Sequence, residues 1–478
     1  MSLAKSFVII NLAELFFMAS SYLIHIYLGR VFTTEQYGRY NLIIMLSTMT
    51  IVFIGDGIPK ALAKYISQYP NREKIIKRKA AIAQSLLVGL VSITYLGMAP
   101  LIADFLNDPT LIPLLRLSAL IIPAFAAASF YNNYFNGLKN FKMQAVQKTI
   151  RSLSRLIAIL ALAYYLKVEG AIAGYIIAPT LVFIFAFYMD KNRGNKIKGD
   201  FSYKRLLTFG LGVIFFMLAF KFMTSIDMLL IKRIINDDYW AGMYAMTIVI
   251  GQIPFYFFSN LAFIMLPTIS NLIQRKTKEE ARQIIAKSMR YIIVFMVPTV
   301  LSIIVFSRQI IDLLYPDEYL NSEQALRIFV VGSGALTLFF ISTFILNGSN
   351  NVQKSAYLGW TGLILNVLLN LIFIPNYGIS GAALATTITS ITLMTLSFVV
   401  LHNEFGVFLN FKSICKILTA GILSFLIFEN FSKNIYTFIF QGMAFFMVYF
   451  LILTLIKEFD NNDITRLKTV FSRKKTKS

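Results

Sequence analysis

Apolar runs of about twenty residues follow one another along the whole chain, separated by short polar segments, without the strict in-out alternation of a barrel strand. Coiled as a helix, a run of that length crosses a hydrocarbon core of about 30 Å. Only helices and closed barrels satisfy their backbone groups in lipid, so the pattern predicts helices. Fourteen spans are expected, over 6–29, 38–58, 80–103, 111–135, 146–166, 169–189, 206–229, 240–268, 284–306, 324–347, 356–375, 379–401, 412–430 and 435–457. The eighth is long enough to bend at Pro254 or to run along the interface past Pro267. The connections 104–110, 167–168 and 376–378 leave no room for an external domain.

Composition agrees with this reading. Hydrophobic residues make up 57% of the 478 and charged residues only 14%, too few to coat a soluble fold of this size. The net charge of +22 could suggest a nucleic-acid partner, but its distribution excludes one. The basic residues collect in alternate loops: Lys60, Lys64, Arg72, Lys74, Lys77, Arg78 and Lys79 in the first, Lys191 to Arg205 in another, Arg275 to Arg290 in a third, and Arg473 to Lys477 in the tail. The opposite loops carry acids, among them Asp104, Asp108, Asp237, Asp238, Asp312, Asp317, Glu318 and Glu323. The positive-inside rule makes the basic side cytoplasmic, with both termini on it, in a multi-pass protein of the cell membrane. The apolar stretch after Lys5 runs to about Leu28 without a small-residue cleavage site, so it reads as the first span. The single cysteine, Cys415, permits no disulfide framework, and His25 and His402 have no neighbouring ligands. Neither a metal nor a cofactor is expected.

The chain repeats itself. Leu115-Arg116, Asn136-Gly137, Ala145 and Gly170-Ala171 recur 211 residues later as Leu326-Arg327, Asn347-Gly348, Ala356 and Gly381-Ala382. Earlier pairs are spaced more closely: Asp104 with Asp312 at 208, and Gly38 and Tyr40 with Gly242 and Tyr244 at 204. Six spans per copy orient both copies alike, related by a pseudo-twofold axis along the membrane normal, a design that places transport sites between the lobes. The expected fold is therefore an all-α membrane protein with two six-helix lobes, 1–205 and 206–410, and a third segment, 411–478, holding helices 13 and 14 and a basic tail.

Certain stretches have a family look. Leu28-Gly29-Arg30 with Glu35-Gln36-Tyr37-Gly38-Arg39-Tyr40-Asn41 resembles the first loop of the Wzx-like polysaccharide-biosynthesis flippases. Their superfamily also holds the MATE drug exporters and lipid II flippases. Gly55-Asp56-Gly57-Ile58-Pro59-Lys60, Asn136-Gly137-Leu138-Lys139-Asn140-Phe141-Lys142 and the segment from Asn366 to Ala383 resemble further stretches of that family. The resemblance covers about 5 to 400 and implies two six-helix lobes, a cationic central cavity and alternating access. Its cargo would be a prenyl-(pyro)phosphate-linked oligosaccharide moved from the cytoplasmic to the outer leaflet.

The chemistry of such cargo directs attention to ionisable and amide side chains inside spans. Each sugar hydroxyl carried unpaired into hydrocarbon costs about 4–8 kcal/mol, so a wet, charged slot is required. Lys221, deep in the seventh span, is the first candidate for the phosphate, against a structural pairing with Glu14 or Asp227. Glu14 is either that partner or an ion-coupling carboxylate. Arg30 and Lys232-Arg233 lie at outer span ends, where they could flank an exit for the cargo, though snorkelling to the interface is the plainer account. Lys148, Arg151 and Arg155 share one face of the fifth span, as phosphate receivers or as lipid anchors. Tyr256 and Asn260 would suit sugar hydroxyls. Arg116 and Arg327 are expected to pair with Asp104 and Asp312, Asp56 with Lys60 as a helix-end pair, and Asn366 and Asn370 to bond between helices.

No nucleotide-binding signature is present, so H+, Na+ or the membrane potential is the expected driver, and the expected partners are the lipid-linked oligosaccharide and membrane lipid of a monomer. Outward movement of one negative charge gains about 2.3 kcal/mol per 100 mV, inside negative. A MATE-like ion-coupled drug exporter would instead favour an acidic cavity. A membrane glycosyltransferase or polymerase would need a large catalytic loop, and a passive scramblase would need no coupling ion.

Overall fold

The computed structural model describes residues 3–190, 200–274, 277–349, 351–407, 410–429 and 437–459. Helices account for nearly all of them, and no strand occurs among the described residues. In order they are α1 (Leu3–Val31), α2 (Thr34–Gly55), α3 (Ile58–Gln68), α4 (Glu73–Phe105), α5 (Ile112–Ser118), α6 (Ile121–Gly137), α7 (Phe141–Asp190), α8 (Tyr203–Met223) and α9 (Ile226–Ile235). Then come α10 (Asp238–Gly251), α11 (Ile253–Phe258), α12 (Asn260–Gln274), α13 (Lys278–Val305), α14 (Ser307–Leu314), α15 (Glu323–Gly348), α16 (Val352–Phe405), α17 (Phe411–Glu429) and α18 (Phe438–Leu455).

Eleven helical stretches are long and apolar enough to cross a membrane, and two of them, α7 and α16, each contain two spans. With α8–α9 the count reaches the expected fourteen. Large apolar side chains lie open on the spans, for example Leu86 and Ile93 on α4 and Leu455 on α18, each 72% exposed. In water such a surface would drive aggregation; against acyl chains it is the matched solvent.

The structure is more broken than the hydropathy pattern. The basic segment after Gly57 is a helix: Ile58, Ala61, Leu62 and Ile66 of α3 face inward while Lys60 and Lys64 stay half-buried at its flank. The expected fourth span divides into α5 and α6, the seventh into α8 and α9 at Thr224-Ser225, and the eighth into α10, α11 and α12. The bend expected near Pro254 is there, with the proline in the first turn of α11, where its missing N–H costs nothing.

The repeat is written into the backbone. α7 turns at Lys167 (φ 49°, ψ −128°) and α16 at Gly378 (φ 55°, ψ −134°), 211 residues apart. Beyond each turn a glycine seats the returning helix: a Cβ on Gly170 would lie 2.1 Å from Leu162 O, and one on Gly381 2.2 Å from Phe373 O, the same interval again. Only glycine permits that approach.

By packing, the chain forms two compact units, Met1–Val249 with Gly359–Thr386, and Ile250–Leu358 with Thr387–Ser478. In the first, α2 and α3 pack on α8, and the close contact of Gly57 with Gly210 (a Cβ on Gly210 would lie 3.1 Å from Gly57 C) brings helices of both repeat copies together. A core under α3, α4 and α6 gathers Ile58, Leu62, Ile66, Ile76, Phe130, Tyr134 and Phe135. In the second unit α15 is buried along most of its length, and Val294, Ile417, Tyr449 and Leu453 join α13, α17 and α18.

Candidate functional site

The first unit holds most of the intramembrane polar chemistry. α8 stops at Met223, and α9 resumes at Ile226, so Asp227 enters in the first turn after the break. The break interrupts the helix inside a span, a condition tolerated in lipid where the helix lines a polar site. Asp227 is 2% exposed. Its carboxylate accepts from Tyr244 Oη at 2.9 Å, from Asn370 Nδ2 at 2.8 Å and from Thr386 Oγ1. Asn370 Nδ2 also reaches Asn366 Oδ1 at 3.0 Å, and Asn366 Nδ2 donates to Thr386 Oγ1 at 3.2 Å. No Lys or Arg pairs with Asp227 among the described residues, and Asn370 Oδ1 is buried without a partner. Oxygen atoms from Asp227, Asn366, Asn370, Thr386 and Tyr244 thus gather around one uncompensated negative charge. A hard monovalent cation or a proton would neutralise it.

Glu14 and Lys221 do not meet. Glu14 is ion-paired with Lys148, and Asp227 is committed to neutral donors, so both structural partners considered for Lys221 are taken. Lys221 sits half-buried two residues before the end of α8, with no ion pair or side-chain hydrogen bond among the described residues. Arg151 and Arg155 project from the first half of α7 toward α1: Arg155 Cζ stands 4.4 Å from the Phe17 ring centre, Arg151 Cζ 4.5 Å from that of Phe125, and Arg155 Nη2 donates to Ser21 Oγ. Arg30 is exposed in the last turn of α1. Tyr256, 44% exposed on α11, and Asn260, which opens α12, belong to the second unit. Arg327 pairs with Glu323 at 2.8 Å and donates to Ser307 Oγ at 2.9 Å instead of reaching Asp312, because Glu323 stands one turn away on the same helix. Asp56 and Lys60 form the expected helix-end pair at 2.6 Å.

At the end of the first unit away from the basic loops, the two repeat copies touch along a local twofold. A Cβ on Gly38 would lie 2.2 Å from Asp238 O, and one on Gly242 2.0 Å from Thr34 O; Gly38 and Gly242, like Thr34 and Asp238, are 204 residues apart. Charges surround the contact. Lys232 Nζ, 4% exposed, bridges Asp108 at 2.9 Å and Asp238 at 2.7 Å, and Arg39 Nε reaches Asp238 at 2.6 Å. Burial pushes the Asp108 carboxyl up, but hydrogen bonds from Thr110 and Lys232, with the charges of Lys232 and Arg39, outweigh it and hold the group below its usual range. Lys232 is thus a buried cross-copy link and not the snorkelling interfacial lysine that its place at a span end predicts.

A polytopic helical protein of two like-oriented copies, carrying uncompensated charges of both signs within its spans, is the architecture of a membrane transporter. The chain belongs to the polysaccharide biosynthesis protein family, whose model matches residues 3–273; the MatE model matches 213–372. It is similar to an uncharacterized membrane protein of Methanocaldococcus jannaschii, 24% identical over 83% of this chain and 97% of that one. It is also similar to the lipid II flippase MurJ of Bacillus subtilis, 23% identical over 77% and 76%. Its fold matches that of a solved lipid II flippase MurJ in an inward closed conformation, with a TM-score of 0.79 at 16% identity over 94% of this chain and 98% of that one. This is a transporter of the superfamily that contains flippases and MATE exporters.

Proposed function

We propose that the protein translocates a prenyl-(pyro)phosphate-linked oligosaccharide from the cytoplasmic to the outer leaflet, coupled to a monovalent cation or a proton. One observation carries the choice of anionic cargo: Lys221 is embedded in a span with both of its structural partners engaged elsewhere. An unpaired ammonium in a span is costly unless an anion visits it, and a phosphate headgroup is the anion such cargo supplies. The match to the polysaccharide biosynthesis model and the similarity to a lipid II flippase support cargo of this class. The Asp227 cluster is the place for the coupling cation, since its carboxylate lacks a resident positive partner among the described residues.

The test is transfer of a fluorescent prenyl-pyrophosphate sugar in vesicles reconstituted with the protein. Lys221→Ala is expected to slow transfer at least about tenfold, the scale of one charge-assisted contact, while Lys221→Arg retains most of it. Equal rates in all three proteins would remove Lys221 from the site and the reading with it.

A further inference from the structure

At the end of the first unit that carries the basic loops, α8 begins with a fastening. Phe201, two residues before the helix, is 3% exposed, and its ring centre lies 5.1 Å from that of Tyr65 on α3 and 6.2 Å from that of Tyr69 just past it. Asp200 pairs with Lys79 of α4, and its carbonyl accepts from Arg72 Nη1 at 3.4 Å. Tyr65 Oη donates to Arg205 O at 3.2 Å. Lys79 Nζ stands 4.8 Å from the Tyr203 ring centre, and Lys64 Nζ 3.9 Å from that of Phe209. Each of these contacts joins the segment entering the second copy to α3, to α4 or to the turn between them in the first.

Beyond the fastening, this half of α8 is held along one row. Leu206, Gly210 and Ile214 follow at one-turn intervals and are buried, the last two against Gly57. Lys204, Arg205, Thr208, Leu211 and Phe215 are exposed. A helix end with so narrow a buried row opens more readily than the core beneath it. The fold does not need Phe201 to place α3. Gly137 seats α3 on α6, where its Cβ would lie 2.9 Å from Ala63 O, and Gly348 seats α12 on α15 in the same way, 2.7 Å from Leu266 O. The interval from Ala63 to Leu266, 203 residues, sets Thr268 and Leu272 in the places of Tyr65 and Tyr69. The aromatic seat thus belongs only to the copy that receives Phe201.

We propose that Phe201 is the clasp of a releasable strap. Seated against Tyr65 and Tyr69, it fastens the basic-loop end of α8 to α3, and its withdrawal frees that end of the helix to swing away from the first copy. The chemistry suits a clasp that opens. One aromatic ring carries the apolar burial, the Lys79–Asp200 pair has its carboxylate 86% exposed, and the hydrogen bonds to Asp200 O and Arg205 O lie at the surface, where water replaces them. Release exposes one ring and one row of side chains, a smaller penalty than unpacking α3 from α6. Lys221 stands near the other end of α8, so a swing at the strap changes the approach to it. The strap itself does not depend on what Lys221 binds.

Spin labels at Arg78→Cys on α4 and Leu211→Cys on α8, both exposed, report the swing by pulsed dipolar spectroscopy in the full-length Cys415→Ser protein held in lipid nanodiscs. The intact strap should give a main short distance and a minor longer one. Phe201→Ala should raise the ratio of long to short about ten- to a hundredfold, the scale of one buried aromatic side chain lost. Phe201→Leu should shift it less, and Tyr69→Ala, which removes one wall of the seat from a position 39% exposed, should act in the same direction. Asp200→Asn should change the ratio by less than about fivefold, as for an exposed ion pair. If Phe201→Ala fails to fold, Tyr69→Ala carries the test. Variants that melt lower but leave the distances unchanged would show the ring to be ordinary core and overturn the proposal. An intact swing in a protein that fails to move cargo would sink the transport reading and leave the strap standing.

Discussion

Replacing Gly242 by alanine should open the tight end of the bundle. The new methyl would sit 2.0 Å from Thr34 O, where ordinary contact begins at 3.4 Å, so α2 and α10 must separate by about 1.4 Å or tilt apart. The obstacle is a main-chain carbonyl within a helix and cannot swing aside as a side-chain tip would. Forcing extra volume into a packed contact costs about 1–3 kcal/mol, and here that cost falls only on states in which the two copies touch. Converted to populations, it disfavours the closed end by a factor of about 5 to 150. Spin labels at Glu35→Cys and Asp237→Cys, both exposed at this end, report the separation by pulsed dipolar spectroscopy once the exposed Cys415 is replaced by serine. The variant should shift weight to a longer distance. Gly38→Ala should act alike, its Cβ lying 2.2 Å from Asp238 O, whereas Gly97→Ala, with nothing within 4 Å, should change nothing. A distance distribution for Gly242→Ala that superimposes on that of the unsubstituted protein would refute the argument, because the clash could then be absorbed without parting the helices.

Lys232→Met leaves Asp108 and Asp238 facing each other without their shared amine, and breaking a buried pair in this way costs about 3–5 kcal/mol; thermal unfolding should fall accordingly and recover in part when Asp108→Asn is added. Asp227→Asn should abolish stabilisation by the coupling cation, read as a melting temperature that no longer rises with Na+ or with acid; persistence of the rise would move the coupling site elsewhere. Lys167→Gly should stabilise the protein by about 1 kcal/mol, because Lys167 holds a φ of 49° with a ψ of −128° that only glycine adopts without strain; a loss of stability would show that the lysine side chain outweighs its backbone.

Hydropathy made the spans legible because burial in lipid demands uninterrupted apolar helix, and the repeat made the relation between copies legible because equal backbone contacts demand equal glycines, as at Gly170 and Gly381. The breaks at Thr224-Ser225 and between α5 and α6 were hidden, since a helix that stops for two residues keeps the same apolar character. The pairing of charges was hidden for a different reason. Lys232 and Asp108, or Arg39 and Asp238, come from distant parts of the chain, and periodicity says nothing about which helices adjoin. Asn366 and Asn370 bond between helices as their spacing predicts, but the spacing does not show that they converge on Asp227, Asn370 directly and Asn366 by way of Thr386. The available signal was the set itself: an acid just past a Thr-Ser pair, two asparagines one turn apart and a threonine, all in spans that otherwise exclude such groups.

Where two copies share a backbone, whatever they share is explained by folding, and whatever differs needs another cause. Glycines make up much of the shared set: Gly38 with Gly242, Gly137 with Gly348, Gly170 with Gly381, each seated against a carbonyl of a neighbouring helix. The differing set is polar. The first copy places Arg155 where the second has Asn366, and Tyr40 and Tyr244 correspond while the second copy alone adds Asp227 beneath its tyrosine. Desolvating an unpaired charge opposes folding, so a buried carboxylate that one copy alone carries, as at Asp227, is not accounted for by packing.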